Sequence, residues 1–179
     1  MVRLDRKAGL AAGTLASAAF RPELLDAAVT GRITDDQWRR HVAEDLAEVC
    51  GSLAGALDLV DGWTALSGRV DTAVLEILTS IRSRVPVVLV SNATTRLKAD
   101  LAALGLADAF DAVVNTARIG MAKPDPRVFE AAAQAVGVTP QRCLFVDDTA
   151  GHVAAAQAAG LTGLHYRHVD ELRLATARW

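Results

Sequence analysis

The spacing of apolar residues changes near position 70 of the 179-residue chain, and the change divides it. Before that point the period is helical. Pro22 suits the first turn of a short helix reaching about Val29, and Gly31 breaks it. Thr34-Asp35-Asp36-Gln37 has the form of a capping box, with acids where the helix dipole favours them. Trp38, Val42, Leu46 and Val49 follow at helical spacing and define one apolar face, on which Trp38 reads as core. Gly51 ends that helix. Leu53, Leu57 and Val60 predict another short one, and Asp61-Gly62 a turn.

Beyond Val70, helical patches alternate with short apolar runs. Val74, Leu75, Leu78 and Ile81 predict an amphipathic helix, and residues 85–90 a buried strand with Pro86 tolerated near its start. A helix carrying Leu97, Leu101 and Leu104 comes next, ended by Gly105, and then a short strand over 112–114. A helix over 126–136 has its proline at the start. Strands over 143–146 and 163–166 alternate with helices over 151–159 and near 169–177. Such alternation predicts an α/β chain with a parallel sheet covered by helices on both faces. The expected organisation is a helical segment, 1–67, and an α/β segment, 68–179.

Composition narrows the partners. Hydrophobic residues make up 51% and charged ones 22%, a globular balance. The formal net charge is -2, and no block of Lys or Arg stands out, so nucleic acid is not expected as a partner. Cys50 and Cys143 lie in apolar contexts and read as core rather than as a disulfide framework. No apolar run has the length of a membrane span, so no membrane partner is expected. Arg3, Arg6 and Lys7 precede an uncharged run, and Ala16-Ser17-Ala18 imitates a cleavage site. That run is mostly Ala, Gly, Thr and Ser, and Asp5 interrupts the basic part, so a cytoplasmic protein is expected.

Three polar clusters fall at strand ends. Ser91-Asn92 closes the strand 85–90, where a hydroxyl and backbone N–H groups can hold a phosphate oxygen, although Ser91 could equally cap a helix. Lys123 stands in the proline-stiffened loop Gly120-Met121-Ala122-Lys123-Pro124-Asp125-Pro126, with a solvated surface lysine as the alternative. Asp147 and Asp148 end the run Cys143-Leu144-Phe145-Val146. Adjacent carboxylates there call for a positive neighbour, and Mg²⁺ is the natural hard cation. The alternative is Asp148 or Thr149 capping the next helix. Together the clusters offer a hydroxyl, a fixed ammonium and an acid pair, which is what phosphoryl transfer needs.

Val88-Leu89-Val90-Ser91-Asn92, the stretch Gly120 to Phe129, and Leu144-Phe145-Val146-Asp147-Asp148 resemble the second, third and fourth motifs of the haloacid dehalogenase (HAD) superfamily. Gly151-His152-Val153 through Gly163 continues the likeness, and Thr30-Gly31-Arg32-Ile33-Thr34 resembles the helical cap of its phosphatase-like branch. The resemblance implies a Rossmann-like parallel sheet with an N-terminal helical cap. It implies a Mg²⁺-dependent phosphatase working through an aspartyl-phosphate on a small phosphorylated metabolite. By the same resemblance Ser91 binds the phosphoryl group with Asn92 beside it, Lys123 neutralises nucleophile and phosphate, and Asp148 ligates Mg²⁺ with Asp147 adjacent. His152 stands where relatives often carry Asp or Asn.

The family's first motif, a strand ending in Asp-x-Asp with the nucleophile first, has no match. Asp5 follows only four residues, and Lys7 takes the second acid's place. Gly13-Thr14-Leu15 has the motif's tail, but Leu10 and Ala12 stand where both acids belong. Residues 1–20 therefore read as the first cap segment, and a start placed too far downstream is the simpler account. The missing strand is the expected centre of the sheet, so 85–90 and 143–146 should each lose a partner. A non-catalytic binding protein and a cofactor-independent dehalogenase are the competing readings, and the acid pair argues against the latter.

Overall fold

The computed structural model describes residues 1–65 and 68–177. Its first part is helical: α1 (Val2–Lys7), α2 (Thr14–Ala19), α3 (Pro22–Val29), α4 (Asp35–Leu46) and α5 (Leu53–Thr64). Leu15, Ala28, Val42, Leu46 and Val60 form its buried core with Trp38. Trp38 donates Nε1–H to the Ala19 carbonyl at 3.1 Å, which satisfies the indole's one polar group inside the core. The capping box of α4 is complete, with Gln37 N donating to Thr34 Oγ1 and Thr34 N to Gln37 Oε1. Two readings need correction. The apolar face of α4 stops at Leu46, and Val49 is exposed. Asp61-Gly62 lies inside α5, which continues because Val60 and Trp63 both pack into the helical core. The expected division at 67/68 touches Leu66 and Ser67, outside the described residues.

The α/β part runs α6 (Thr72–Arg82), β1 (Val88–Ser91), α7 (Leu97–Ala103), β2 (Ala112–Asn115), α8 (Thr116–Ile119) and α9 (Pro126–Gln134). A 3₁₀ turn, Pro140–Arg142, leads to β3 (Leu144–Asp147), α10 (Ala150–Ala158), β4 (Thr162–His165) and α11 (Val169–Thr176). β1 begins later than its apolar run. Pro86 has no N–H to give, and Val87 spends its own on Asp111 Oδ2 at 2.8 Å. β3 reaches one residue further than expected, because Tyr166 N donates to Asp147 O at 2.9 Å and carries the ladder to the first acid. Phe129, Phe145, Ala156 and Leu161 form the second buried cluster, with the two phenyl rings edge to face at 5.0 Å.

The sheet is divided. β1 pairs with β2 and β3 with β4, both parallel, with Ser91 beside Asn115 and Asp147 beside His165. Among the described residues no ladder joins β1 to β3. Between them lies a cavity of ≈ 1020 Å³, lined on its edges by Val88, Val90, Leu144 and Val146. Val74 and Leu78 of α6, with Ala132 and Ala133 of α9, also line it.

The helical part is seated on the α/β part at two points. Gly31 has φ +73°, and a Cβ there would lie 1.9 Å from the Ala117 carbonyl oxygen of α8, so only glycine fits. At the start of α4, Asp35 accepts a 2.5 Å bond from Thr94 Oγ1, and its N–H donates to Thr95 Oγ1 at 3.0 Å. Among the described residues no helix is long and apolar enough to cross a membrane.

Candidate phosphate site

Parallel strands open their carboxyl ends to the same side, and in α/β sheets that side carries the ligand crevice. Ser91 ends β1 and Asp147 ends β3. Lys123 connects them. Its ammonium donates to Asp147 Oδ2 at 2.7 Å and to the Val90 carbonyl at 3.2 Å, and stands 5.6 Å from the Phe145 ring centre. Only 8% of the Lys123 side chain and 9% of the Asp147 side chain are exposed. The lysine is therefore not a solvated surface residue.

Asn92 holds the lysine's loop. Its side-chain amide donates to the Lys123 carbonyl at 2.9 Å, and its Oδ1 accepts from Lys123 N at 2.8 Å. That two-way bond fixes the loop's backbone against the end of β1, so Lys123 enters from a set position. Asn115, 4% exposed, repeats the device next door by donating to Thr94 O and accepting from Ala117 N. Ser91 caps no helix, since α7 begins after Arg96.

The two adjacent acids part company. Asp147 turns inward: Oδ2 takes Lys123, while Oδ1 accepts from Thr149 N at 2.8 Å and lies 3.2 Å from His152 Nδ1. Burial pushes its carboxyl up and is the largest single influence. The Lys123 hydrogen bond, the Thr149 N–H, the ammonium's charge and His152 together outweigh it, holding the group below the usual carboxylate range. Asp148 is exposed, and its carboxylate has only a 3.5 Å contact from Thr149 Oγ1. Neither Asp148 nor Thr149 caps α10 through its side chain.

The donor set decides what cation fits. Among the described residues no three His, Cys, Asp or Glu side chains gather round one point. Asp147 Oδ1 already faces Thr149 N and His152, and Oδ2 accepts from Lys123 alone. Asp147 thus keeps room on Oδ2, while Asp148, with only a long contact from Thr149 Oγ1, is the more open carboxylate. Mg²⁺ is commonly held by one or two carboxylates and the oxygens of a bound phosphate. The residues present fit an ion that arrives with phosphate.

Three contributors were not legible beforehand: the Asn92 clamp, the Thr94–Asp35 tie, and His152 against Asp147. His152 follows Asp147 by five residues, which sets it one turn into α10 beside the strand end. That spacing is the signal that could have found it. Asp5, the weak candidate for a nucleophile, is fully buried and serves the backbone, accepting from Gly13 N at 2.9 Å and Leu15 N at 3.0 Å.

A family model described as haloacid dehalogenase-like hydrolase matches residues 12–160. "Phosphatase MT3486" of Mycobacterium tuberculosis is 48% identical over 56 residues, covering 31% of this chain and 26% of that protein. The fructose-1-phosphate phosphatase YqaB of Escherichia coli is 40% identical over 67 residues, covering 37% of this chain and 36% of that protein. The chain thus spans between a quarter and two fifths of these relatives' length. A HAD family enzyme of Bacteroides thetaiotaomicron, solved with magnesium and inorganic phosphate, superposes with a TM-score of 0.64 at 22% identity, covering 79% of this chain and 73% of that one. The likeness in structure bears on the fold, and the family match bears on ancestry. The family match shows that the chain belongs to the haloacid dehalogenase-like hydrolases.

Proposed function

We propose that the carboxyl ends of β1 and β3 form the phosphate-handling site of a Mg²⁺-dependent phosphatase acting on a small phosphorylated metabolite. The observation that carries this reading is the Lys123 ammonium, shielded from water and held between Val90 O and Asp147 Oδ2 at the shared strand end. A cation fixed there before substrate arrives neutralises phosphate charge without reorganising during reaction. Ser91 Oγ and the N–H groups after β1 donate to phosphate oxygens. Asp147 and Asn92 hold the lysine in place. Asp148 would hold Mg²⁺, which when bound neutralises phosphate charge. Helices α1 to α5 cover this end as a cap, seated through Gly31 and Asp35.

Among the described residues at these strand ends, the open carboxylate is that of Asp148, which this reading assigns to Mg²⁺, so none is left to attack phosphorus in line. Asp5 is committed to the backbone, and Asp147 to Lys123. The chain by itself therefore binds phosphate and does not turn it over. The test is hydrolysis of para-nitrophenyl phosphate with and without Mg²⁺. It compares the 179-residue chain with the same chain fused, through a glycine–serine linker, to an apolar strand ending in Asp-x-Asp. Background rates for the chain and Mg²⁺-dependent turnover for the fusion are expected. Inactivity of a well-folded fusion would refute the reading and favour a non-catalytic phosphate-binding protein.

A further inference from the structure

The loop between β1 and α7 has no ladder or helix of its own. Among the described residues the N–H groups of Asn92, Ala93, Thr94 and Thr95 meet no acceptor, so their dipoles are open to a ligand. Such a segment keeps one conformation only where other groups pin it. Two pins come from the α/β part: Asn92 grips the backbone of Lys123, and Asn115 Nδ2 donates to Thr94 O at 2.9 Å. Two more come from one residue of the helical part. Asp35 Oδ1 accepts from Thr94 Oγ1 at 2.5 Å, and Asp35 N donates to Thr95 Oγ1 at 3.0 Å. A longer contact, Arg96 Nη2 to Thr64 O at 3.5 Å, ties the same loop to the end of α5.

Asp35 is poorly placed for stability alone. Its side chain is 10% exposed, and Arg39 Nη2 lies 2.5 Å from Oδ2 but out of line for a hydrogen bond. Among the described residues both Oδ2 and Arg39 Nε are buried without a hydrogen-bond partner. A buried carboxylate so incompletely paired costs stability. Its position at the start of α4 offsets part of that cost through the helix dipole, but the dipole would serve an exposed acid as well and calls for no threonines. We infer that Asp35 is a positioning residue for phosphate binding. From the helical part it holds the loop after β1 in the conformation that presents its N–H groups, with Ser91 Oγ, to an anion. The anion's identity rests on the phosphatase reading, whereas the pinning rests on the Asp35 contacts alone. The expected effect has a sign that charge would not give. A carboxylate repels phosphate, so its removal would tighten binding if charge were all that mattered. Positioning has the opposite result, because a loop in its binding conformation part of the time binds in proportion to that fraction. By linkage, bound phosphate strengthens the seating of α4 by the same factor.

The test titrates inorganic phosphate into the ¹⁵N-labelled full chain and reads amide shifts, relaxation and hydrogen exchange. Asp35→Ala should weaken phosphate binding about tenfold, which corresponds to a loop in its binding conformation about a tenth of the time. Without phosphate, it should lower the order parameters of Asn92, Ala93, Thr94 and Thr95 from about 0.85 to below about 0.6. Asp35→Asn keeps an acceptor for Thr94 Oγ1 and should leave both readouts near wild type. Thr94→Val should reproduce Asp35→Ala, and Thr94→Ser should restore the wild-type values. If Asp35→Ala unfolds, the two Thr94 variants decide by the same readouts. In the wild type, saturating phosphate should slow exchange at the Asp35 amide about tenfold. Unchanged or tighter phosphate binding in Asp35→Ala, unchanged loop order, or a Thr94→Ser variant that fails like Thr94→Val overturns the inference. Loop order lost in Asp35→Ala while the wild type binds no phosphate supports the pinning and counts against the phosphatase reading. Phosphate bound equally by the wild type and Asp35→Ala overturns the pinning and leaves that reading standing.

Discussion

Lys123→Met removes the ammonium that joins β1 to β3 and keeps most of the side chain's apolar bulk. Asp147 Oδ2 loses its 2.7 Å partner and Val90 O its 3.2 Å partner, while Thr149 N and His152 remain on Oδ1. Breaking a buried ion pair from one side costs about 3–5 kcal/mol, and a single unsatisfied group about 1–3 kcal/mol. The pair borders an open cavity and Asp147 keeps two partners, so the lower range applies, about 1–3 kcal/mol. In a domain of this size that lowers Tm by about 2–12 °C. The assay is urea unfolding of the wild type, Lys123→Met, Asp147→Asn and the double variant. The double variant should be more stable than the sum of the single losses implies, with a coupling of about 1 kcal/mol or more. Coupling below about 0.5 kcal/mol, the usual scatter of independent sites, would refute the claim that this pair organises the site.

Three further outcomes follow from local geometry. Gly31→Ala should destabilise the chain by about 2–5 kcal/mol, combining left-handed strain with a forced clash on the Ala117 carbonyl; calorimetric melting checks this. Asp5→Ala should cost about 1–3 kcal/mol in urea unfolding by orphaning Gly13 N and Leu15 N, and leave phosphate binding unchanged; a loss of phosphate binding would return Asp5 to the chemistry. The Asp125 carboxyl, held down to about 2 first by the Arg127 side chain and then by the Arg127 N–H, should show that midpoint in an NMR titration. Its folded value lies below the unfolded one, so its contribution is complete above about pH 4 and is lost as pH falls through about 2. A midpoint near the ordinary carboxylate value contradicts the Asp125–Arg127 geometry.

Periodicity was enough to place most elements, because amphipathic helices and doubly covered strands carry their burial in their spacing. It failed where a partner distant in sequence decides. Asp61-Gly62 reads locally as a turn, yet α5 continues through it because Trp63 finds a place in the helical core. The start of β1 depends on Asp111, twenty-four residues from Val87. In the site, Ser91, Lys123, Asp147 and Asp148 were legible as residue types at strand ends. Their division of labour was not. Adjacent acids on a strand end look equivalent in sequence, while alternation turns Asp147 inward to Lys123 and leaves Asp148 in water. The Asn92 clamp needs the loop at 123 to return to β1, which no local signal states. The break between β1 and β3 was the exception, since the missing apolar run ending in acids already implied unpaired edges.

The measurement that tests the phosphate site most directly is an NMR titration of the ¹⁵N-labelled chain with inorganic phosphate, without and then with Mg²⁺. Shifts should concentrate at Ser91, Asn92 and Lys123, extend to Asp148 when Mg²⁺ is present, and disappear in Lys123→Met. Asp148→Asn should remove only the response to Mg²⁺. Shifts scattered over the exposed arginines, or a phosphate response that survives Lys123→Met, would contradict the assignment of the strand ends as the phosphate site.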